Sequence, residues 1–592
     1  MAVQDGREGL ASGLREDDSY HSERMIKLGK QLENPYSVAN MQRAWDNIAG
    51  AGARTSDAPE VKTTHYYVKF TPQTEEELEI LKDDTTLILF DYPLDYEIEA
   101  GIGDAYRDPS VPIGQPTPQY CAVEADYRFP SRVGYEILED LFIPDDYSDD
   151  AQSQSARLAP ADEELINRLV YEAMKLTGNL EETEENENPT LGLFGSGGSS
   201  WRPTGRIMVW DDTGADLTST RRVFSHYDYS GCSGYNSSLP EFLKERVYGN
   251  CRIAAYRTTT TTTRTNWVPL EGVEVRARRW FTVKEGFTNA QGYYSCNGTF
   301  KNPANYSIKW ERYHFSIRSG TFGQALYNGP KKTGNWNMNF GRRGADKVND
   351  MQQYYALIFQ AARDYYYGSR FGLSSPPRNS FWKPQVKISA SQTSRQHKKD
   401  SHAAPYARTG GILPSVYIRK WNDAADRVYG VTAHELAHLA HWDMDRDAFR
   451  KLLLKRYPLG NKSPEAVIES WASGVEWQFA QQRYKNLYGN AGYKYESDIS
   501  INSLSNGNYQ AQTISGKPIY TSIVVDMIDD ENQRITKGGT QYPMDRVSGY
   551  TIQQIEAGLR GATSWNGWRD NMRSRHSNST KNFLNELFGN WH

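Results

Sequence analysis

The feature that most constrains this chain is the pentapeptide His434-Glu435-Leu436-Ala437-His438, an H-E-x-x-H pattern. On an α-helix, residues four apart lie on the same side, with side chains that start about 5–6 Å from each other. Two neutral imidazoles at this spacing can reach one zinc ion at about 2.0–2.1 Å. Glu435 lies one step round the helix, where a carboxylate can reach a metal-bound water without being a ligand. The pattern therefore predicts a zinc-binding helix with Glu435 as its general base.

The residues around this pattern favour a helix. Residues 424–441 contain no proline and one glycine, Gly430, and Asn422 and Asp423 just upstream are N-cap candidates. Apolar residues recur at helical spacing on one side of this segment, which predicts a buried face. A second side carries three histidines: His434, His438 and His441. A buried helix with such a polar stripe needs a partner for it, and a metal ion is a natural one.

Two imidazoles leave a catalytic zinc one protein ligand short. His441 is the nearest further histidine, but in an unbroken helix it lies about 10 Å along the axis from His434. We therefore interpret His441 as a residue that supports the site or faces the substrate, with an ordinary surface position as the alternative.

A second helix, further along the chain, offers a better third ligand. Ser463, Pro464 and Glu465 form a typical helix start, with an N-cap serine, a proline at the first position and an acid in the first turn. Glu469 follows in an otherwise apolar run, where a carboxylate needs a partner. Glu476 and Glu465 remain alternatives for the third ligand, unless they lie on a solvated face.

These two segments resemble the gluzincin clan of zinc metallopeptidases, in which Glu469-Ser470-Trp471-Ala472 matches the second motif. The resemblance spans about residues 346–592. It implies that His434, His438 and Glu469 hold zinc, that Glu435 is the general base, and that zinc-activated water hydrolyses peptide bonds. Many gluzincins place an aspartate four residues after the ligand glutamate to orient a ligand histidine, whereas this chain has Ser473. Tyr550 is one possible transition-state donor among the tyrosines.

Two other functions remain open. The first is a surface-binding or structural protein with a vestigial or structural metal site, against which the intact Glu435 argues. The second is a different zinc hydrolase, one that acts on peptidoglycan peptides.

Composition narrows the class of protein. With 592 residues and 38% hydrophobic content, the chain has room for about three to four domains with real cores. A net charge of −5 gives no indication of a nucleic-acid or anionic-membrane partner. No apolar stretch is long enough for a transmembrane helix, and the first residues do not resemble a signal peptide. The four cysteines lack C-x-x-C spacing, and Cys232–Cys251 is the favoured disulfide pair.

The pattern along the chain predicts a multidomain α+β protein. Residues 1–60 are a polar segment with short helices between 23 and 48, and 61–180 form a small α/β domain. In that domain we expect strands at 65–70 and 85–91, a helix capped by Thr74, and a further helix at 161–177. The acidic cluster at 145–150 is most simply a solvated loop. Residues 181–200 are an acidic and Gly/Ser-rich linker.

Residues 201–343 change to short strands and turns, with strands predicted at 205–210 and 269–278. The segment Pro269-Leu270-Glu271-Gly272-Val273-Glu274-Val275, followed by a turn from Thr288 through Gly292 to Tyr294, resembles the carboxypeptidase-regulatory-like (transthyretin-like) β-sandwich. A sandwich of this type joined to a zinc peptidase is similar to secreted or surface-anchored bacterial proteins. This resemblance implies a secreted or cell-surface location and a peptide or protein substrate.

Residues 344–592 are predicted to form a mainly helical, zincin-like metallopeptidase domain. It opens with a long helix at 346–367, followed by strands at 386–389 and 412–418. Helices are also expected near 521–530 and 551–559. Pro414 fits an edge strand because it cannot donate to a ladder. We therefore expect the substrate backbone to pair with this strand.

Overall fold

The computed structural model describes most of the chain, and the structural statements below concern only these residues: 25–50, 61–98, 105–112, 115–144, 163–180, 200–213, 216–248, 250–251, 253–264, 266–319, 323–380, 385–390, 402–403, 416–455, 462–488, 493, 495 and 509–592. Residues 1–24 of the polar N-terminal segment, the acidic cluster at 145–150, nearly all of the linker, and residues 412–415, which include Pro414, lie outside them.

The protein has mixed α and β structure, with several sheets and a helical C-terminal region. The α-helices are Val38–Gly50, Glu75–Asp83, Glu163–Leu176, Glu241–Tyr248, Met351–Tyr367, Ala425–Met444, Arg446–Lys455, Ser463–Tyr488, Ile523–Ile528, Ile552–Leu559, Trp565–Arg575 and Leu584–Trp591. No helix in the described part of the chain combines the length and the hydropathy needed to cross a bilayer.

The front part of the molecule is built on an antiparallel sheet of Gln119–Glu124, His65–Thr71 and Gly134–Leu141, in that order. Thr74 caps the helix Glu75–Asp83 as predicted, because its side chain accepts a hydrogen bond from the backbone N–H of Glu77. The helix predicted at 161–177 is also present, as Glu163–Leu176, and packs against Val38–Gly50.

One prediction for the front part is wrong. The strand predicted at 85–91 is absent, because this segment is a turn held by Asp84, with a single bridge from Phe90 to Tyr120. A short helix, predicted between residues 23 and 48, is present in the second half of that segment. Leu28–Gln31 is a strand that pairs with Tyr96–Ile98, and the helix begins only at Val38.

The middle of the chain forms two four-stranded sheets and a long two-stranded ribbon. One sheet orders Thr282–Phe287, Glu274–Arg279, Ala304–Lys309 and Leu326–Lys332, and the other contains Tyr293–Ser295, Thr204–Trp210, Met338–Phe340 and Trp267–Pro269. The strand predicted at 269–278 is therefore split between two sheets. Gly292 has φ of +79°, which suits the predicted turn before Tyr293. The ribbon pairs Asp216–Asp228 with Ile253–Arg264, and beyond it the predicted disulfide Cys232–Cys251 is confirmed.

The sheet nearest the H-E-x-x-H helix has a parallel centre of Phe315–Ser319, Val386–Ala390 and Val416–Ile418. Glu311–Arg312 and Gly323–Gln324 both pair with the first of these strands. The expectation that residues 412–418 form an edge strand is wrong for the described part, since His402–Ala403 pairs with the outer side of Val416–Ile418. Its backbone groups at this point are already occupied, so a peptide cannot pair there.

Three long helices pack together around the H-E-x-x-H segment, which lies on the middle one. Ala425–Met444 packs between Met351–Tyr367 and Ser463–Tyr488. Asp364 lies on Met351–Tyr367 and accepts hydrogen bonds from the Tyr429 hydroxyl (2.9 Å) and from Arg483 (3.0 Å). Tyr429 and Arg483 lie on the other two helices, one on each. This buried network fixes the three helices relative to each other.

The start of the central helix differs from the prediction. Ala424 is the N-cap residue, and neither Asn422 nor Asp423 caps the helix in the standard way. The backbone N–H of Ala425 instead donates to Asp212 Oδ1 at 2.8 Å. The acceptor for this helix start therefore comes from a distant part of the sequence.

Candidate metal centre

Three side chains converge between the two helices that carry the sequence motifs. The Nε2 atoms of His434 and His438 each lie 3.4 Å from Oε2 of Glu469. One potential ligand atom from each of the three residues lies within 4.8 Å of the other two, and the histidines are buried. The structure thus brings together the three residues that the sequence nominated as ligands.

The spacing of these atoms fits a shared cation better than direct hydrogen bonds. Charge-assisted N–H···O bonds are usually about 2.7–2.9 Å long, which is shorter than both contacts. Two ligands at about 2.0–2.1 Å from one tetrahedral ion lie about 3.3–3.4 Å apart, close to what is seen. Although burial opposes protonation, the neighbouring carboxylates of Glu469 and Glu476 raise the pKa of His434 to about 10. A metal ion would take the place of the proton on the His434 ring, so metal binding should release that proton.

Glu476 is not part of the cluster, but it supports the cluster by contacting His434. Its Oε2 accepts a hydrogen bond from Nδ1 of His434 at 3.0 Å. A ligand histidine commonly donates its other ring N–H to a carboxylate, which fixes the tautomer and makes the ligand nitrogen more basic. Glu476 thus makes the contact that the resemblance led us to expect from an aspartate at the position of Ser473. Ser473 instead accepts a hydrogen bond from Tyr509 through its backbone carbonyl.

A tyrosine holds Glu476 in place. The hydroxyl of Tyr495 donates to Oε1 of Glu476 at 2.7 Å, so both carboxylate oxygens are occupied. A Cβ at Gly430 would lie 2.1 Å from that hydroxyl. The Tyr495 hydroxyl therefore occupies the place where a side chain at Gly430 would lie, one helical turn before His434.

Glu435 is buried beside the cluster, and its Oε2 has no hydrogen-bond partner in the described structure. Burial raises the pKa of this carboxyl to about 7, although the positive charges of His434 and His438 oppose the shift. A carboxyl group with a free oxygen and a pKa near neutrality suits proton transfer to and from a water molecule.

The other nominated residues lie elsewhere. His441 is only 1% exposed, packs against Phe449, and has no hydrogen-bond partner for either ring nitrogen in the described part of the chain, so the surface alternative is wrong. Burial lowers its pKa to about 3, which keeps the ring neutral. Glu465 lies one turn before Glu469 and is not in the cluster. Tyr550 is buried, and no contact described for it reaches the cluster.

Tyr520 is the tyrosine whose ring packs near the cluster, with its centroid 6.2 Å from that of His434. Ser470, next to Glu469, fixes this segment: its hydroxyl donates to the carbonyl of Ile519 and accepts from the backbone and side chain of Thr521. No local pattern in the sequence singles out Tyr520, because its position depends on a contact between segments about fifty residues apart.

The arrangement therefore combines three side chains that could hold a cation, an orienting carboxylate and a buried carboxyl group with a free oxygen. The chain matches none of the known protein-family models, and a search of curated proteins finds no significantly similar sequence. A function is therefore inferred from the geometry of the site.

Proposed function

We propose that this protein is a zinc-dependent peptidase of the gluzincin type, which hydrolyses a peptide or protein substrate. The observation that carries the proposal is the convergence of His434, His438 and Glu469, with the free oxygen of Glu435 beside them. Two imidazoles and one carboxylate are the donor set of several catalytic zinc sites, with a position left for water. A purely structural zinc site normally uses four protein ligands and has no need of a base.

In this proposal each residue has a separate role. His434, His438 and Glu469 hold the ion, which when bound supplies Lewis-acid activation of water and of the scissile carbonyl. Glu435 takes a proton from the attacking water and delivers it to the leaving amine. Glu476 keeps His434 in the tautomer that presents Nε2 to the cluster.

The wider architecture is part of the proposal. The two four-stranded sheets of the middle region support a regulatory-like β-sandwich, and the helical C-terminal region supports a zincin-like catalytic domain. By the same resemblance we propose a secreted or cell-surface location. The alternative is a binding or structural protein that has kept a vestigial metal site, and it differs from the peptidase in requiring no turnover.

Two variants test the proposal. Protein purified without chelator should contain about one zinc ion per chain, and Glu469→Ala should contain much less. Glu435→Gln should keep its zinc but lose peptide hydrolysis by about a hundredfold or more. Casein and cross-linked cell-wall peptides should be assayed in parallel, because cleavage of the second alone would assign the peptidoglycan activity. Bound zinc without turnover of either substrate would favour the binding-protein alternative, and a failure to bind zinc would refute both the peptidase and the metal site.

A further inference from the structure

A second polar site lies away from the metal centre, where the front part of the chain meets the central sheets. A cavity of about 50 Å³ is lined by residues of the helix Glu75–Asp83, of the segments 106–107 and 115–119, and of the strands Ala304–Lys309, Phe315–Ser319 and Val386–Ala390. A buried water requires about 10–15 Å³ in this measure of volume. The space therefore suits a few waters or one small ion.

The wall of this cavity carries an excess of positive charge. Of its lining residues, two are acids, Glu75 and Asp91, and five are bases: Lys82, Arg107, Lys309, Arg318 and Lys387. Behind the wall, Glu311 adds one negative charge that pairs with Lys82 at 3.4 Å and with Lys309 at 3.5 Å. Glu79, a buried acid that interacts with the charges of Lys82 and Lys387, is a fourth acid, so the bases outnumber the acids by one.

Most of these bases already have partners. Lys387 forms an ion pair with Glu75, and Lys82 also donates to Gln385 at 2.9 Å. The guanidinium of Arg107 donates to the backbone carbonyls of residues 111, 112 and 115. None of these groups requires a further ligand.

Arg318 is different. It is only 7% exposed, and its Nε and Nη2 atoms are buried without a hydrogen-bond partner in the described structure. These two atoms form one edge of the guanidinium group, the edge that binds a carboxylate or a phosphate through two parallel hydrogen bonds. Leaving charged donors buried and unpaired is costly, so a group that satisfies this edge would stabilise the protein.

We propose that the cavity is a binding site for a small oxyanion, either inorganic phosphate or a small carboxylate, held by the Nε–Nη2 edge of Arg318. The anion offsets the excess positive charge on the wall. Because the wall is formed by the front part of the chain and by the sheet next to the H-E-x-x-H helix, the bound anion also strengthens the docking of these two regions. This inference does not depend on the proposed peptidase activity.

The test uses the full-length protein and two probes, inorganic phosphate and acetate, with sodium chloride at matched ionic strength as the control. Thermal unfolding should shift upward with one of the probes and not with chloride, and calorimetry of the same probe gives the affinity. The probe that acts identifies the ligand as phosphate or carboxylate. Arg318→Lys keeps the charge but removes the two-pronged edge, and it should weaken binding at least tenfold. Arg342→Lys, at an exposed arginine, should leave binding unchanged.

Two results would overturn the proposal. One is the absence of any shift beyond that of chloride, which would mean that the cavity holds only water. The other is equal binding to wild type and to Arg318→Lys, which would place the anion elsewhere. If Arg318→Lys does not fold, wild-type crystals soaked in selenate and in bromoacetate decide the matter, because an anomalous peak must then lie in the cavity, with an oxyanion oxygen between it and the N–H groups of Arg318.

Discussion

The contact between Glu476 and His434 makes a quantitative prediction about metal affinity. In Glu476→Gln the side-chain oxygen can still accept from His434 Nδ1, and the amide can still bond to the Tyr495 hydroxyl. The bond to Tyr495 is reversed, because the amide donates to the hydroxyl oxygen, so the variant keeps the shape of the site and removes mainly the negative charge. Loss of such a supporting carboxylate typically weakens metal binding by about 10–100-fold, which is about 1.4–2.8 kcal/mol.

Glu476→Ala should have a larger and different effect. It leaves the N–H of His434 and the hydroxyl of Tyr495 buried without their present acceptor. An unsatisfied buried donor costs about 1–3 kcal/mol, so this variant should also unfold at a lower temperature. Glu476→Gln should lose affinity with little loss of stability.

The assay is a competition titration of zinc against a chromophoric chelator, with urea unfolding of the metal-free proteins alongside. Glu465→Gln is the matched control, because this residue lies on the same helix outside the cluster, and it should bind zinc like wild type. Glu469→Gln should lose most of the affinity. If Glu476→Gln binds zinc as tightly as wild type, Glu476 does not support the metal site. If that variant loses zinc as completely as Glu469→Gln does, Glu476 is a direct ligand and not a supporting residue.

Two further predictions concern stability. Gly430→Ala should destabilise the protein by about 1–3 kcal/mol and weaken zinc binding, because the new methyl group must displace Tyr495. Gly589→Ala, at a helical glycine with no atom within 4 Å of the added Cβ, should be neutral or stabilising in the same urea titrations. Burial and the neighbouring Asp526 raise the pKa of Asp545 to about 10, and burial raises the pKa of Asp526 to about 7. Both values exceed the unfolded value of about 3.9, so the free energy of unfolding should fall as the pH rises from 5 to 8. Asp545→Asn should flatten this slope, and an unchanged slope would show that other groups cause it.

The sequence predicted those parts of the site that depend on spacing within one helix. The positions of His434 and His438 follow from the helical repeat, and the helix start predicted near Ser463 correctly placed Glu469 on a second helix. Features that depend on distant contacts were missed. The acceptor from Asp212 at the start of the central helix and the pairing of His402–Ala403 with the supposed edge strand have no local signal in the sequence.

Glu476 is an intermediate case. Its contact with His434 joins two helices, but its position along its own helix can be read from the sequence. It follows Glu469 by seven residues, which is nearly two full helical turns, so both carboxylates lie on the same face of Ser463–Tyr488. A motif comparison examines the fourth position, finds Ser473 and suggests that the supporting carboxylate is missing. What the histidine requires is a carboxylate within hydrogen-bond reach of Nδ1, whatever its place in the chain. Because helix residues seven apart share a face, an acid one turn further along can make that contact, and the departure at Ser473 does not weaken the case for a metal site.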